Sequence, residues 1–406
     1  MILRYYELMI DADPAVVAQY AQSVSQGLQD AGIAACAKHF PGHGDTHVDS
    51  HLALPHIAPL ANAQAHLVPF HELIKAGIAS LMTGHIVVSA LGDDGNPGSL
   101  SRVISHDLPR LKLDYDGVVV TDCLEMDAVK EMVGTPESAL RALQAGNDIA
   151  MICHTPELQV AALDLVYTAV SDGRLDEAVL LKSAKRIHQL KDHFAGTWDD
   201  VLMLPYVAAA VDALKLKNAA LSAQAYAAST ALVRDPSGAL PLSLERNVLL
   251  LTPVVESLNR AVDDAEGVAR DTVGRLRNTA SPSYLALAAA IRGRLKGKVK
   301  IEHVVYAPDD DLTKAEPDAL PRSIIFVTRN AHSSEWQRAA LASVRKVYDA
   351  DAHLVVLSTC APYDVLKDNG AAALATFEFT VPALEAAVGA LFGERKPSGR
   401  VPVRVN

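Results

Sequence analysis

Residues 117–122 read Gly-Val-Val-Val-Thr-Asp. The three valines leave no polar face, which is the pattern of a short strand buried in a parallel sheet and not of a half-solvated hairpin. An aspartate, Asp122, ends the run. The same arrangement recurs on both sides: Ile33 to Phe40 and SLMTGHIVV (80–88) upstream, DIAMIC (148–153) downstream. Helical patterns separate these runs. Residues 14–31 carry apolar residues at helical spacing behind Asp13-Pro14, a cap followed by proline at the first helical position. A second helix surrounds PFHELIKAG (69–77), a third opens at Thr135-Pro136-Glu137 and ends near Gly146, and residues 156–195 read as helices. Strand and helix alternate at intervals of roughly 35–50 residues, the rhythm of a parallel sheet or a (β/α) barrel. Lys38-His39, His85, Asp122 and His154 all fall at C-terminal strand ends, where such folds place their ligand sites.

Beyond this region the composition shifts. Residues 196–215 mark a boundary and an alanine-rich helix follows to about residue 230. ALVRD, NVLLLTP, KIEHVVYA, SIIFVTRN, HLVVLSTC and AALATFEF are then strand candidates, with EWQRAALASVRKVY and PALEAAVGALF as helices between some of them. The expected organisation is a partial (β/α) barrel over 1–200, a linker helix over 201–230 and a smaller α/β sandwich over 231–406.

The chain has 406 residues and a net charge of −11, with no basic run, which argues against nucleic acid as partner. No apolar stretch has the length of a membrane span. The N-terminal MILRYYELMIDADP has acids where a signal peptide would have an apolar core. Cys36, Cys123, Cys153 and Cys360 are widely spaced, so buried thiols in a reducing compartment are expected in place of a disulfide framework. Together these predict a cytoplasmic protein.

The densest chemistry lies in Lys38-His39-Phe40-Pro41-Gly42-His43-Gly44-Asp45-Thr46-His47-Val48-Asp49-Ser50-His51. Four histidines, two aspartates and a lysine share fourteen residues. The histidines recur every fourth residue, but that spacing gathers metal ligands only on a helix, and Pro41, Gly42 and Gly44 prevent one. No metal and no cofactor is therefore expected. An acid/base loop is the stronger reading, with Asp49 holding the imidazole of His51 and fixing its tautomer. No nucleophile elbow accompanies Ser50. Asp122 is open between two roles, a helix N-cap and a carboxylate nucleophile at the mouth of the sheet.

KHFPGHGDTHVDSH followed by TDCLEM resembles glycoside hydrolase family 3, in its β-N-acetylglucosaminidase branch. LMTGHIVV, ALQAGNDIAMIC and the terminal LFGERKPSGRVPV agree, and the resemblance spans roughly residues 11–406. It implies Asp122 as the nucleophile of a retaining exo-β-N-acetylglucosaminidase, His51 as acid/base and Asp49 as its partner. It implies that Lys38 and His39 bind the terminal sugar of a peptidoglycan fragment or chitooligosaccharide. A neutral imidazole in place of the second carboxylate repels an incoming anion less, so phosphorolysis stands beside hydrolysis as an outcome. The family barrel has eight strands, and this sequence supplies four, starting at the fifth. A half barrel exposes strand edges and apolar faces that favour self-association. An inactive truncated sugar-binding or oligomerisation module is the non-enzymatic alternative.

Overall fold

The computed structural model describes residues 13–44, 54–57, 60–92, 95–203, 205–254, 281–296, 299–308, 310, 312, 322–348, 353–366 and 370–403. The chain folds as two compact units that divide between Tyr206 and Val207. Both are α/β.

In the first unit, helix α1 (Pro14–Asp30) starts where Asp13 accepts the Ala15 amide at 2.8 Å, an N-cap with proline at the first helical position. Strand β1 (Cys36–Phe40), helix α2 (Leu60–Lys75) and strand β2 (Ser80–Thr83) follow. A π-helical segment, Val103–Lys112, leads into strand β3 (Val118–Thr121). Helices α3 (Asp127–Val133), α4 (Thr135–Ala145), α5 (Pro156–Ser171), α6 (Glu177–Phe194) and α7 (Trp198–Leu202) complete the unit. The sheet is parallel in the order β1-β2-β3. Its core joins Phe40, Leu81 and Val119 from the strands to Phe70 and Leu73 of α2 and Ile104 and Leu108 of the π-helical segment. Phe40 and Phe70 meet edge to face with ring centroids 5.3 Å apart, which adds about 0.5–1.5 kcal/mol beyond burial.

The fourth expected strand, DIAMIC, is reduced to a single parallel bridge between Val120 and Ile149. Side chains intercept its amides before they can extend a ladder. The Met151 N–H donates to Thr121 Oγ1 at 3.0 Å, and those of Cys153 and His154 donate to Glu125 Oε2 at 2.8 and 2.6 Å. Cys153 consequently turns outward and is exposed, a correction to the expectation of buried thiols; Cys123 and Cys360 are buried and Cys36 is half-buried.

A buried ion pair ties the start of this segment to the sheet. Asp148 receives Arg110 Nη2 at 2.7 Å, Arg186 Nη1 at 3.1 Å, Ser183 Oγ at 2.8 Å and the Val119 N–H at 2.9 Å. Four donors satisfy a carboxylate that would otherwise be costly to bury.

The second unit begins with helix α8 (Ala208–Ser229). Strands β4 (Ala231–Arg234) and β5 (Asn247–Pro253), helix α9 (Pro282–Arg294), strands β6 (Ile301–Tyr306) and β7 (Arg322–Arg329), helix α10 (Glu335–Tyr348), strand β8 (Leu354–Thr359), helix α11 (Tyr363–Leu366), strand β9 (Ala372–Ala375) and helix α12 (Val381–Leu391) follow. The sheet order is β4-β9-β8-β7-β5-β6, with β4 antiparallel at one edge and the rest parallel. Alternate residues feed two cores. Val248, Leu250, Ile325, Val327, Val355 and Leu357 pack with α9 and α12. Leu249, Leu251, Ile324, Phe326, Leu354 and Val356 form the opposite core with Val344 of α10 and Val365 of α11. With both faces covered, these strands read as continuous apolar runs.

Candidate active site

The parallel register sets the C-terminal ends of β1, β2 and β3 side by side. Phe40 pairs with Thr83, and Thr83 with Thr121. The register of β1 against β2 shifts between Lys38 and Phe40, so His39 is the extra residue of a bulge, a device that redirects a side chain. Asp122 follows β3 directly, and its N–H donates to the Thr83 carbonyl at 2.9 Å. The outcome is a direct contact across the sheet: His39 Nε2 lies 3.1 Å from Asp122 Oδ2. Gly84, next along the chain from β2, leaves the necessary space. A Cβ there would stand 3.0 Å from the Cβ of His39.

The other carboxylate oxygen, Oδ1, accepts the Cys123 N–H at 2.8 Å. Burial alone would raise the pKa of Asp122. The His39 hydrogen bond and charge, the nearby His85 and the Cys123 amide outweigh it and hold the carboxyl well below the usual carboxylate range. Asp122 is thus a fixed anion at neutral pH. Its role as a helix cap is not seen: α3 is preceded by Met126, with no side-chain cap.

His85 is fully buried beneath this group. Its Nε2 faces the Cys123 carbonyl at 2.8 Å and its Nδ1 faces Ser99 Oγ at 2.7 Å. A carbonyl only accepts, so Nε2 carries a proton and donates it, while Nδ1 pairs with the Ser99 hydroxyl. Thr83 Oγ1 continues the support by donating to Asn147 Oδ1 at 2.8 Å, and Asn147 Nδ2 donates to the Ser99 carbonyl at 2.8 Å. The sequence marks His85 as a strand-end polar residue. Its position beneath Cys123 has no local signal.

Among the other expected site residues, Lys38 lies on β1, half-buried, where its charge acts on Cys36. Asp49 and His51 lie outside the described residues. The loop leading to them passes close over α2: Gly42 has φ +128, and a Cβ on it would meet that of His66 at 2.3 Å. Only glycine satisfies both conditions. After Asp122, the Glu125 carboxylate binds the amides of Cys153 and His154. Burial acts against its charge, but Thr155 and these two amides pull its pKa down.

Residues 10–190 match the glycosyl hydrolase family 3 N terminal domain. The similarity to that family thus covers a little under half of the chain. The chain is 40% identical over 169 residues to a β-hexosaminidase of Thiobacillus denitrificans, covering 40% of this chain and 46% of that protein. It is 37% identical over 187 residues to the β-hexosaminidase LpqI of Mycobacterium tuberculosis, covering 44% of this chain and 47% of that one. The chain therefore spans about half the length of the curated relatives it matches. Both units have structural counterparts. A fungal multi-domain family 3 β-N-acetylglucosaminidase superposes with a TM-score of 0.82 at 32% identity, over 97% of this chain and 44% of that one. A family 3 β-N-acetylglucosaminidase from Paenibacillus sp. str. FPU-7 gives 0.74 at 27% identity, over 96% and 70%. Among the described residues no helix is long and apolar enough to cross a membrane.

Proposed function

We propose that the chain carries the catalytic residues of a retaining β-N-acetylglucosaminidase acting on the terminal N-acetyl-β-glucosamine of a glycan. The observation that carries this reading is the Asp122 carboxylate. It is nearly buried and held ionised by His39 and the Cys123 amide at the C-terminal edge of a parallel sheet. The activity for which the β-hexosaminidase relatives are named supports the substrate class.

The chemistry follows from a carboxylate of low basicity. Asp122 attacks the anomeric carbon while the glycosidic C–O bond breaks, forming a glycosyl ester. His51, oriented by Asp49, gives its proton to the departing oxygen. In the second step the now neutral His51 takes a proton from water. The resulting hydroxide-like oxygen attacks the anomeric carbon, and Asp122 leaves as a carboxylate. A weakly basic carboxylate is a good leaving group, so the partners that depress the pKa of Asp122 favour this second step. His39 holds one carboxylate oxygen and the Cys123 amide the other, which together fix the orientation of the carboxylate.

The test is covalent trapping. A fluorinated N-acetylglucosaminyl donor that forms the ester faster than it hydrolyses should add one sugar mass to the peptide containing Asp122. Asp122→Ala should abolish both the adduct and cleavage of a chromogenic N-acetyl-β-glucosaminide. A sugar adduct on another residue, or cleavage unchanged in Asp122→Ala, would reject the assignment.

A further inference from the structure

We propose that Cys123, Cys153 and His154 form a binding site for a thiophilic divalent cation of the zinc class. The two sulfur atoms and one imidazole nitrogen all lie within 4.8 Å of one another. In a tetrahedral zinc site, bonds of about 2.3 Å to sulfur and 2.0–2.1 Å to nitrogen set ligand atoms roughly 3.5–3.8 Å apart. Side-chain adjustments on the order of an ångström close the cluster around an ion. Two thiols and an imidazole select zinc-like metals over magnesium or calcium, which take oxygen ligands.

The two segments are already fastened together without the ion. Glu125 Oε2 accepts the N–H groups of both Cys153 and His154, and it stands 3.9 Å from Cys123 Sγ. One carboxylate thus holds the second and third ligands against the first and adds negative charge beside the ion. Cys123 is buried while Cys153 and His154 are exposed, so an ion enters from solvent and a water fills the remaining position. Burial pushes the Cys123 thiol up to about 12. Each cysteine that binds as a thiol exchanges its S–H proton for a metal–sulfur bond and releases that proton to water. No electron is transferred.

The site adjoins the proposed nucleophile, since the Cys123 amide holds Asp122, but its test reads the metal directly. The 406-residue chain, purified with a thiol reductant and stripped of metal, is titrated with cobalt(II) and then zinc(II). One equivalent of cobalt should give a thiolate-to-cobalt charge-transfer band and the visible bands of a tetrahedral ion, and zinc should remove both. Cys153→Ser and His154→Ala should each weaken binding by at least about tenfold. His188→Ala, an exposed histidine on α6, should leave it unchanged. Zinc should also protect Cys153 from alkylation in the unaltered protein, a readout that needs no variant. The proposal is overturned by cobalt binding without a thiolate band, by a band indifferent to Cys153→Ser, or by Cys123 and Cys153 recovered as a disulfide from the reduced protein.

Discussion

His85 Nε2 donates to the carbonyl of Cys123 across 2.8 Å, and the amide of that same Cys123 donates to Asp122 Oδ1. One peptide segment therefore connects a fully buried imidazole to the proposed nucleophile. His85→Leu keeps the bulk but removes both ring nitrogens, leaving the Cys123 carbonyl and the Ser99 hydroxyl without this partner. The expected loss is about 1–3 kcal/mol of stability, measured by urea unfolding. Turnover of the chromogenic glucosaminide should fall in kcat more than in KM, because the displaced group is the nucleophile and not the sugar-binding surface.

The carboxyl of Asp122 titrates below its unfolded value, so its contribution to stability has a defined sign. That contribution is fully present above the ordinary carboxylate pKa of about 3.9 and is lost as pH falls through the depressed folded value. His39→Ala removes the principal depressing partner. The pKa of Asp122 should rise, and its carbon-13 carboxyl resonance should titrate at higher pH than in the unaltered protein. A midpoint that does not move would show that the amide and His85 suffice without His39.

Gly84 is the gap through which His39 reaches Asp122. Gly84→Ala places a methyl 3.0 Å from the Cβ of His39 and 3.0 Å from Ile86 Cδ1. Crowding of this kind costs roughly 1–3 kcal/mol. The melting temperature should fall, and the Asp122 midpoint should rise in the same direction as in His39→Ala, because the 3.1 Å contact is displaced.

Asp148 anchors the fourth segment to the backbone of Val119 in β3. Asp148→Ala leaves Arg110 buried without its carboxylate, and breaking such a pair on one side costs about 3–5 kcal/mol. Chemical denaturation should show this loss in the first unit, while unfolding of the second unit stays unchanged. Arg186→Ala should cost much less, since Arg186 is partly exposed and Arg110 keeps its bond to Asp148.

The alternation of elements is written in local pattern. GVVVTD, SLMT and the six apolar runs of the second unit announce strands because periodicity and β-branching belong to a segment taken alone. The same pattern puts Asp122, Lys38 and His39 at strand ends. Which of them meet is settled in three dimensions. The His39–Asp122 contact depends on a register shift in β1 and on the absence of a side chain at Gly84, neither of which a segment records about its neighbour. DIAMIC has the composition of a strand, yet Thr121 and Glu125 claim its amides and reduce it to one bridge. The same diversion turns Cys153 to the surface beside Cys123. Local pattern sets what a residue is fit to do; distances between segments set by packing and hydrogen bonding decide with which partner it does it.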